Sequence, residues 1–536
     1  MKRALAVLLL AAGCPQRAPL PIEKPAPPAP TEPPTPPPIA VTPPDALPPK
    51  LVVLLVIDQL PQWALVAKRG ALSGGLDRLL REGEWHTGEH PSAVTLTAPG
   101  HALLGTGEAS AVTGIIGNSW WDRDAQAIVE ATRDAKGNVT SAFLRVPGLG
   151  DAIAAANASR PVAGKAVGVS LKDRAAILPL GHAGTAIWYD AKQIAWASLP
   201  PVPWLPALGR AVPIKPRLEE VWTPLDAAKL AQLSGVADQA PGEIGDKGFG
   251  PVFPHDPRAT KNPAAAVLAS PLGNELVLDA AAFAIGAEQL GADDTADLLV
   301  VSLSAHDYIG HAWGHESWEA WDAMLRLDAE LAAFLATLDA KVGAGRWAMI
   351  ATSDHGASPM PRTPMTTYAS IKDAANKAAA TELGGGDWIA DARFPYVYLS
   401  KAALKEKDRA KALKKIVFAL RSFPGIARVE RTDGLAGNCE RRTGDARRLC
   451  LAIDRQRSGE VIYVPREGWI LGEDPHATAH GSLNAYDREV PLIVLPPGRT
   501  PHVAATAPSG TVVPVHQVPA LLARWLGVPT PAQLPR

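Results

Sequence analysis

The sequence predicts an α/β protein: a three-layer α/β/α sandwich around a central, mostly parallel sheet, with cap insertions. Three observations lead there. The chain has 536 residues, 47% of them apolar and 20% charged, enough for one large domain with a sizeable core. Three aliphatic runs, 51–57, 297–303 and 346–352, are apolar at consecutive rather than alternate positions, the pattern of strands covered on both faces. Segments with apolar residues at helical spacing lie between them, as expected of helices covering a sheet.

At the N-terminus, Lys2 and Arg3 precede an apolar run over 4–12, and Ala11, Ala12 and Gly13 put small residues before Cys14. This predicts a signal peptide over 1–14, too short to span a bilayer. It resembles the bacterial lipoprotein signal, which makes Cys14 the candidate lipidation site and implies export to the periplasm or lipid anchoring at the cell envelope. Residues 15–50 contain 16 prolines and no hydrophobic periodicity, so a proline-rich tether is expected. One large folded domain is expected over 51–536, with cap insertions over about 180–290 and 358–475.

A formal net charge of -1 gives no basic footprint for nucleic acid. No nucleic-acid partner is expected, and any membrane contact would run through a lipid on Cys14 alone. Phosphate, if bound, must be held locally.

The first run ends at Asp58. The second leads into Ser304, Ala305, His306 and Asp307, and the third into Ser353, Asp354, His355 and Gly356. Open α/β sheets bind ligands beyond the carboxyl ends of their strands. One strand-end Asp is ordinarily a helix cap; three together suggest a site. Helices are expected over 280–290, 318–338, 372–382, 402–421 and 516–526, with a late strand over 492–495. The lysines at 401, 405, 407, 411, 414 and 415 read as a solvated helix face. Cys439 and Cys450 read as a disulfide closing a short loop in an exported protein.

Asp307 and His311 are four apart, so a loop or a first helical turn can aim both at one ion. Asp354 and His355 are adjacent and need a turn, for which Gly356 supplies flexibility. His480, in His476-Ala477-Thr478-Ala479-His480-Gly481-Ser482, offers a further nitrogen. Asp and His together suit zinc better than magnesium or calcium. His101 and His182 read as support residues, and His86, His90, His255, His315 and His502 as structural or surface residues.

With these pieces in order over residues 51–495, the sequence resembles the alkaline phosphatase superfamily, in particular its bacterial threonine-nucleophile alkaline phosphatases of the PafA type. Thr97-Ala98-Pro99-Gly100-His101 matches the nucleophile turn, with Ala98 where glycine is usual. Gly114-Ile115-Ile116-Gly117-Asn118 matches the phosphate-binding asparagine loop, and Ser170-Leu171-Lys172-Asp173-Arg174 the segment with that group's Lys and Arg. The resemblance implies two Zn2+ ions, one on Asp307, His311 and His480, the other on Asp58, Asp354 and His355, with Thr97 also coordinated. It further implies Thr97 as nucleophile through a covalent phosphothreonine, with Asn118, Lys172 and Arg174 binding the phosphoryl group. Thr95 is the rival nucleophile, and Thr97 is preferred because it abuts the Pro-Gly pair.

Lys172 and Arg174 set the expected substrate class. In an extended segment residues i and i+2 leave one face, so two cations would meet the oxygens of one phosphate monoester dianion. The expected function is therefore a zinc-dependent phosphate monoesterase of broad specificity acting on small molecules. The alternatives are a phosphodiesterase or nucleotide pyrophosphatase of the same superfamily, which lacks the Lys and Arg pair, and a catalytically inactive surface binding module. A sulfatase would need a Cys or Ser at the nucleophile position, and none of the three cysteines is there.

Overall fold

The structure is a computed structural model describing residues 47–360 and 365–535. The expected signal peptide, Cys14 and the tether up to residue 46 lie outside the described residues.

The main sheet has nine strands. Across it they run Val512–Pro514, Glu84–Glu89, Glu489–Leu495, Trp347–Thr352, Leu51–Ile57, Asp297–Leu303, Ala166–Ser170, Thr185–Asp190 and Ala195–Leu199. The five from Trp347–Thr352 to Thr185–Asp190 are parallel, and antiparallel pairs occur only toward the two sides. Leu51–Ile57 is central and shows why its sequence does not alternate. Leu51, Val53, Leu55 and Ile57 pack into one hydrophobic cluster, and Val52, Leu54 and Val56 into another on the opposite face. Every residue of the strand is buried, so both faces have to be apolar.

Helices Gln62–Lys68, Gly75–Glu82, Pro271–Ala287 and Trp318–Lys341 feed the first cluster. Helices Thr97–Thr106, Leu149–Asn157, Asp173–Ile177 and Val518–Leu526 feed the second. The result is the three-layer sandwich. The helix expected from residue 280 starts instead at Pro271, behind Ser270, because a proline at the first helical position is preorganised for helix entry. That expected from 402 starts at Arg409, after a short 3-10 turn over Ala403–Lys405.

The segment 180–290 departs from the expected cap. Its strands Thr185–Asp190 and Ala195–Leu199 extend the main sheet, and its helix Pro271–Ala287 covers that sheet. The apolar strand faces, with Ile187 and Tyr189 in the core, explain why it joins the sandwich. Residues 366–472 form a separate layer: a four-stranded sheet of Ile389–Asp391, Tyr396–Leu399, Val461–Pro465 and Ile426–Arg431, backed by helices Tyr368–Leu383 and Arg409–Arg421 around their own core. Cys439 and Cys450 are disulfide-bonded within it. Lys411, Lys414 and Lys415 are exposed on the outer side of Arg409–Arg421, while Leu413, Ile416 and Leu420 are buried.

Because Leu54 is fully buried in the central strand, truncating it to alanine should leave a cavity and lower unfolding stability by roughly 2–5 kcal/mol. Denaturant unfolding of Leu54→Ala against the parent chain measures this.

Candidate metal centre and nucleophile

The register of the three central strands builds the site. Ile57 pairs with Leu303 and Val56 with Thr352, so the residues after each strand emerge level at one edge of the sheet. Asp58 follows directly. Asp307 is delivered by the first turn of helix Ala305–Trp313, which also carries His311 one turn on. Asp354 and His355 follow Ser353, whose Oγ accepts from Leu60 N–H and donates to His355 O.

Two sets of side chains form there, Asp58 with Asp354 and His355, and Asp307 with His311 and His480; within each, the nearest ligand atoms lie within 4.8 Å of one another. In the first, His355 Nε2 is 3.6 Å from Asp58 Oδ1 and 3.4 Å from Asp354 Oδ2. These three atoms are buried and have no hydrogen-bond partner among the described residues. The other Asp354 oxygen accepts from Gln59 N–H at 3.2 Å and His355 N–H at 3.1 Å, which leaves Oδ2 as its open ligand atom. In the second set, Asp307 Oδ1 lies 3.2 Å from His311 Nε2 and 3.8 Å from His480 Nε2. The His355 and His480 rings stack at 3.7 Å, so the two sets are neighbours.

The tautomers of the three histidines test whether a cation fits. His355 Nδ1 faces Gly356 O at 3.0 Å, His311 Nδ1 faces Thr478 O at 2.9 Å, and His480 Nδ1 faces Thr95 O at 2.7 Å. A carbonyl only accepts, so each Nδ1 carries the proton and a neutral ring turns its Nε2 lone pair toward the carboxylates. Lone pairs and carboxylate oxygens facing one another repel unless a proton or a metal cation lies among them. This is the arrangement in which an outer carbonyl orients a ligating imidazole. Tetrahedral zinc with ligands near 2.0–2.2 Å spaces them about 3.3–3.6 Å apart, which matches the first set.

The electrostatics point the same way. Burial, and then the neighbouring Asp354, push the Asp58 carboxyl up to about 8. Asp354 is held below the usual range: burial opposes its ionisation, but His355 and His101 outweigh it. For Asp307 burial again opposes, and Lys172 followed by His311 brings the carboxyl well below the ordinary value. A cation beside Asp58 would favour its charged form.

Thr97 is the first residue of the helix Thr97–Thr106, not a residue of a turn. Pro99 falls in that helix's first turn, where a missing N–H is tolerated, so the Ala-Pro-Gly run starts a helix. Gly100 is required for close approach: a Cβ there would lie 2.2 Å from Asp354 O. His101, one turn beyond Thr97, has Nδ1 2.9 Å from Thr97 O and 3.2 Å from Asp354 Oδ2, with Nε2 2.8 Å from Ser302 Oγ. On the other side, Thr95 O holds His480, and Thr95 Oγ1 accepts from Gly481 N–H at 3.1 Å. Thr97 is thus bracketed by residues tied to both sets. The hydroxyl of its rival Thr95 is engaged in the loop that carries His480. Thr97 is nearly fully buried, and its hydroxyl makes no hydrogen bond among the described residues. Asn118 Oδ1 accepts from Ala98 N–H at 2.8 Å, which leaves the Asn118 amide NH2 as the end able to donate to a ligand.

Lys172 and Arg174 do not leave one face of an extended segment. Lys172 stands at the N-cap position of the helix Asp173–Ile177, and Arg174 lies within its first turn; the strand has already ended at Ser170. Both nonetheless line one cleft of about 250 Å³ with Tyr308, Trp188 and Arg133. Lys172 Nζ is 2.7 Å from Asp58 Oδ2 and 2.7 Å from Asp307 Oδ2, one carboxylate of each set. Burial works against its charge, but Asp307 and Asp58 overcome this and raise its pKa. Burial likewise opposes Arg174, which Tyr308, Asp173, Asp58 and Asp307 stabilise as the cation.

Gly356 is not in the left-handed region. Its role is room, since a Cβ would lie 2.1 Å from Tyr486 O. His182 pairs with Asp151 at 3.1 Å, and among the described residues no contact ties it to either set. His315, read as structural, packs behind the centre with His306, at 4.9 Å between rings. Gln59, which directly follows Asp58, is a further residue of the centre, and that adjacency is its only signal in the sequence.

The chain matches the family model described as type I phosphodiesterase / nucleotide pyrophosphatase over residues 52–487. It is 30% identical over 83% of its length to alkaline phosphatase PafA of Elizabethkingia meningoseptica, of which it covers 87%. It is also 30% identical over 86% of its length to alkaline phosphatase PhoV of Synechococcus elongatus, of which it covers 88%. The crystal structure of wild type alkaline phosphatase PafA matches with a TM-score of 0.79 at 28% identity, covering 90% of this chain and 96% of that one.

The contact between Gly100 and Asp354 makes a prediction. Gly100→Ala should push helix Thr97–Thr106 away from Asp354 and cost roughly 1–3 kcal/mol by overpacking, read as a lowered unfolding midpoint.

Proposed function

We propose, from the premise that this chain belongs to the type I phosphodiesterase / nucleotide pyrophosphatase family, that it hydrolyses small-molecule phosphate monoesters at a two-zinc centre with Thr97 as nucleophile. The observation that carries the monoester reading is Lys172 Nζ, 2.7 Å from a carboxylate of each set. A cation at the junction of the two sets stands where a phosphoryl group bridging them would put its non-bridging oxygens. A monoester dianion presents more charge to it than a diester does.

Bound at Asp58, Asp354 and His355 and at Asp307, His311 and His480, two zinc ions would supply Lewis acidity, activating an oxygen nucleophile and neutralising charge on the leaving oxygen. The residues do the rest. The Thr97 hydroxyl, held by helix entry between Thr95 and His101, gives up its proton to water and attacks phosphorus; the P–O bond to the leaving group breaks as the Thr97 Oγ–P bond forms, and water protonates the departing alkoxide. Water then cleaves the phosphothreonine and restores the hydroxyl. Lys172 as a point charge, Arg174 as a fork and the Asn118 NH2 hold the equatorial oxygens, where such positioned donors stabilise the transition state.

Phosphodiester hydrolysis is the second reading, favoured by the description of the matching family model. Lys172 and Arg174 speak against it. For location we infer export, with lipidation of Cys14 as the anchoring step, and the disulfide between Cys439 and Cys450 supports an oxidising compartment. The layer over 366–472 would act as the cap. Leu96, next to Thr97, packs against its core.

One assay decides between the readings. An aryl phosphate monoester and its methyl diester are compared in the parent chain, Thr97→Ala and the double variant Lys172→Ala/Arg174→Ala. Monoester preference is expected in the parent, with at least about 100-fold loss of monoesterase kcat/KM in either variant and a smaller loss on the diester in the cation variant. Diester preference in the parent, or undiminished monoesterase activity without the two cations, refutes the proposal. Separately, a chelator should abolish activity and zinc restore it; recovery with magnesium alone would refute zinc as the metal.

A further inference from the structure

We infer that Gln59 is a positioning residue that joins the two ligand sets into one centre and governs metal affinity at Asp307, His311 and His480 in particular. The inference rests on the two-metal reading above. Gln59 is fully buried, directly follows Asp58, and holds a left-handed backbone with φ 62°. A non-glycine residue pays for that conformation and keeps it only when its surroundings require it.

Its surroundings are specific at every polar atom of the amide and at the backbone N–H. The N–H donates to Asp354 Oδ1 at 3.2 Å, in the first set. The side-chain Nε2 donates to Asp307 Oδ1 at 2.6 Å and lies 3.0 Å from His311 Nε2, both in the second. The Asp307 carboxylate only accepts, which fixes that end of the amide as NH2, so Oε1 faces His315 Nε2 at 3.0 Å and accepts from it. His315 is itself held through its carbonyl by buried Lys68 and stacks on His306, whose Nδ1 donates to Asp58 O at 2.9 Å. Gly310 clears the space: a Cβ there would lie 2.2 Å from Gln59 Oε1. A glycine inside the helix that bears Asp307 and His311 is therefore explained by the amide it admits.

The two contacts of Nε2 differ in kind. His311 Nε2 has one lone pair, which a metal ion would take. Asp307 Oδ1 has two, so it can accept from Gln59 while it ligates. The bond to Asp307 is thus the one that serves a loaded centre, orienting the carboxylate as outer partners of ligands do. The backbone bond to Asp354 does not depend on the side chain. Removing the amide should accordingly weaken one site and spare the other.

The test is zinc titration of the metal-stripped full-length protein against a chromophoric competing chelator, for the parent, Gln59→Ala and Gln59→Met. Methionine keeps the volume and removes the donor, and it keeps the test valid if alanine impairs folding. Both variants should bind one zinc with unchanged affinity and the second about 10–100-fold more weakly. Asp307→Asn, which should weaken the same site, assigns it. Unchanged affinity at both sites, or equal weakening at both, overturns the inference. A parent chain that takes up fewer than two ions refutes the two-metal reading itself.

Discussion

The arrangement depends on burying several carboxylates at one edge of a sheet. Asp58 and Asp354 are fully buried and Asp307 almost so, and an isolated ionised carboxylate is costly to take out of water. The surroundings compensate with cations and oriented N–H groups: Lys172 reaches Asp58 and Asp307, and two backbone N–H groups converge on one oxygen of Asp354. What they leave open is consistent. Asp58 Oδ1 and His355 Nε2 have no hydrogen-bond partner among the described residues, Asp354 Oδ2 has only His101 Nδ1 at 3.2 Å beside it, and the three atoms lie together. A fold under no demand to hold a cation would gain by replacing such a cluster with apolar side chains.

That demand reaches far from the ligands. Gly100 lets the Thr97 helix approach the Asp354 backbone, and Gly356 lets the His355 loop approach Tyr486. Thr95, Thr478 and Gly356 each spend a backbone carbonyl on orienting one histidine. The three central strands contribute registration rather than chemistry. With Ile57 level with Leu303 and Val56 level with Thr352, residues separated by about 250–300 positions arrive side by side, and a one-residue slip would turn the strand faces over.

Much of this was legible in the sequence. Continuous aliphatic runs reveal buried central strands because both faces must be apolar, and an acid directly after such a run is visible against that background. What was not legible was of another kind. Thr97-Ala98-Pro99-Gly100 reads as a turn by composition, yet it begins a helix, because Pro99 is tolerated in a first turn and Gly100 answers to a contact with a residue over 250 positions away. The Lys172 and Arg174 pair is legible by residue type but not in its geometry, since the five helical residues of Asp173–Ile177 give no periodicity to read. Gln59 carries no charge and matches no motif. Its importance lies wholly in who surrounds it, and that is tertiary information.

Thr97 and the metal ligands argue for phosphoryl transfer without choosing among esters, because each would serve a monoester or a diester alike. The choice falls to Lys172, and its position is more constrained than that of a surface cation. It is buried, its charge is opposed by desolvation and sustained by Asp307 and Asp58, and it also lies 4.8 Å from the ring of Tyr308, the neighbour of Asp307. A lysine so placed has to be balanced by negative charge from both sets. An incoming dianion that met Lys172 and Arg174 would share that balancing role with the carboxylates. A diester, with one charge fewer, would compensate the same cations less well. On the proposed reading, substrate class in this protein is a matter of charge balance at one buried nitrogen.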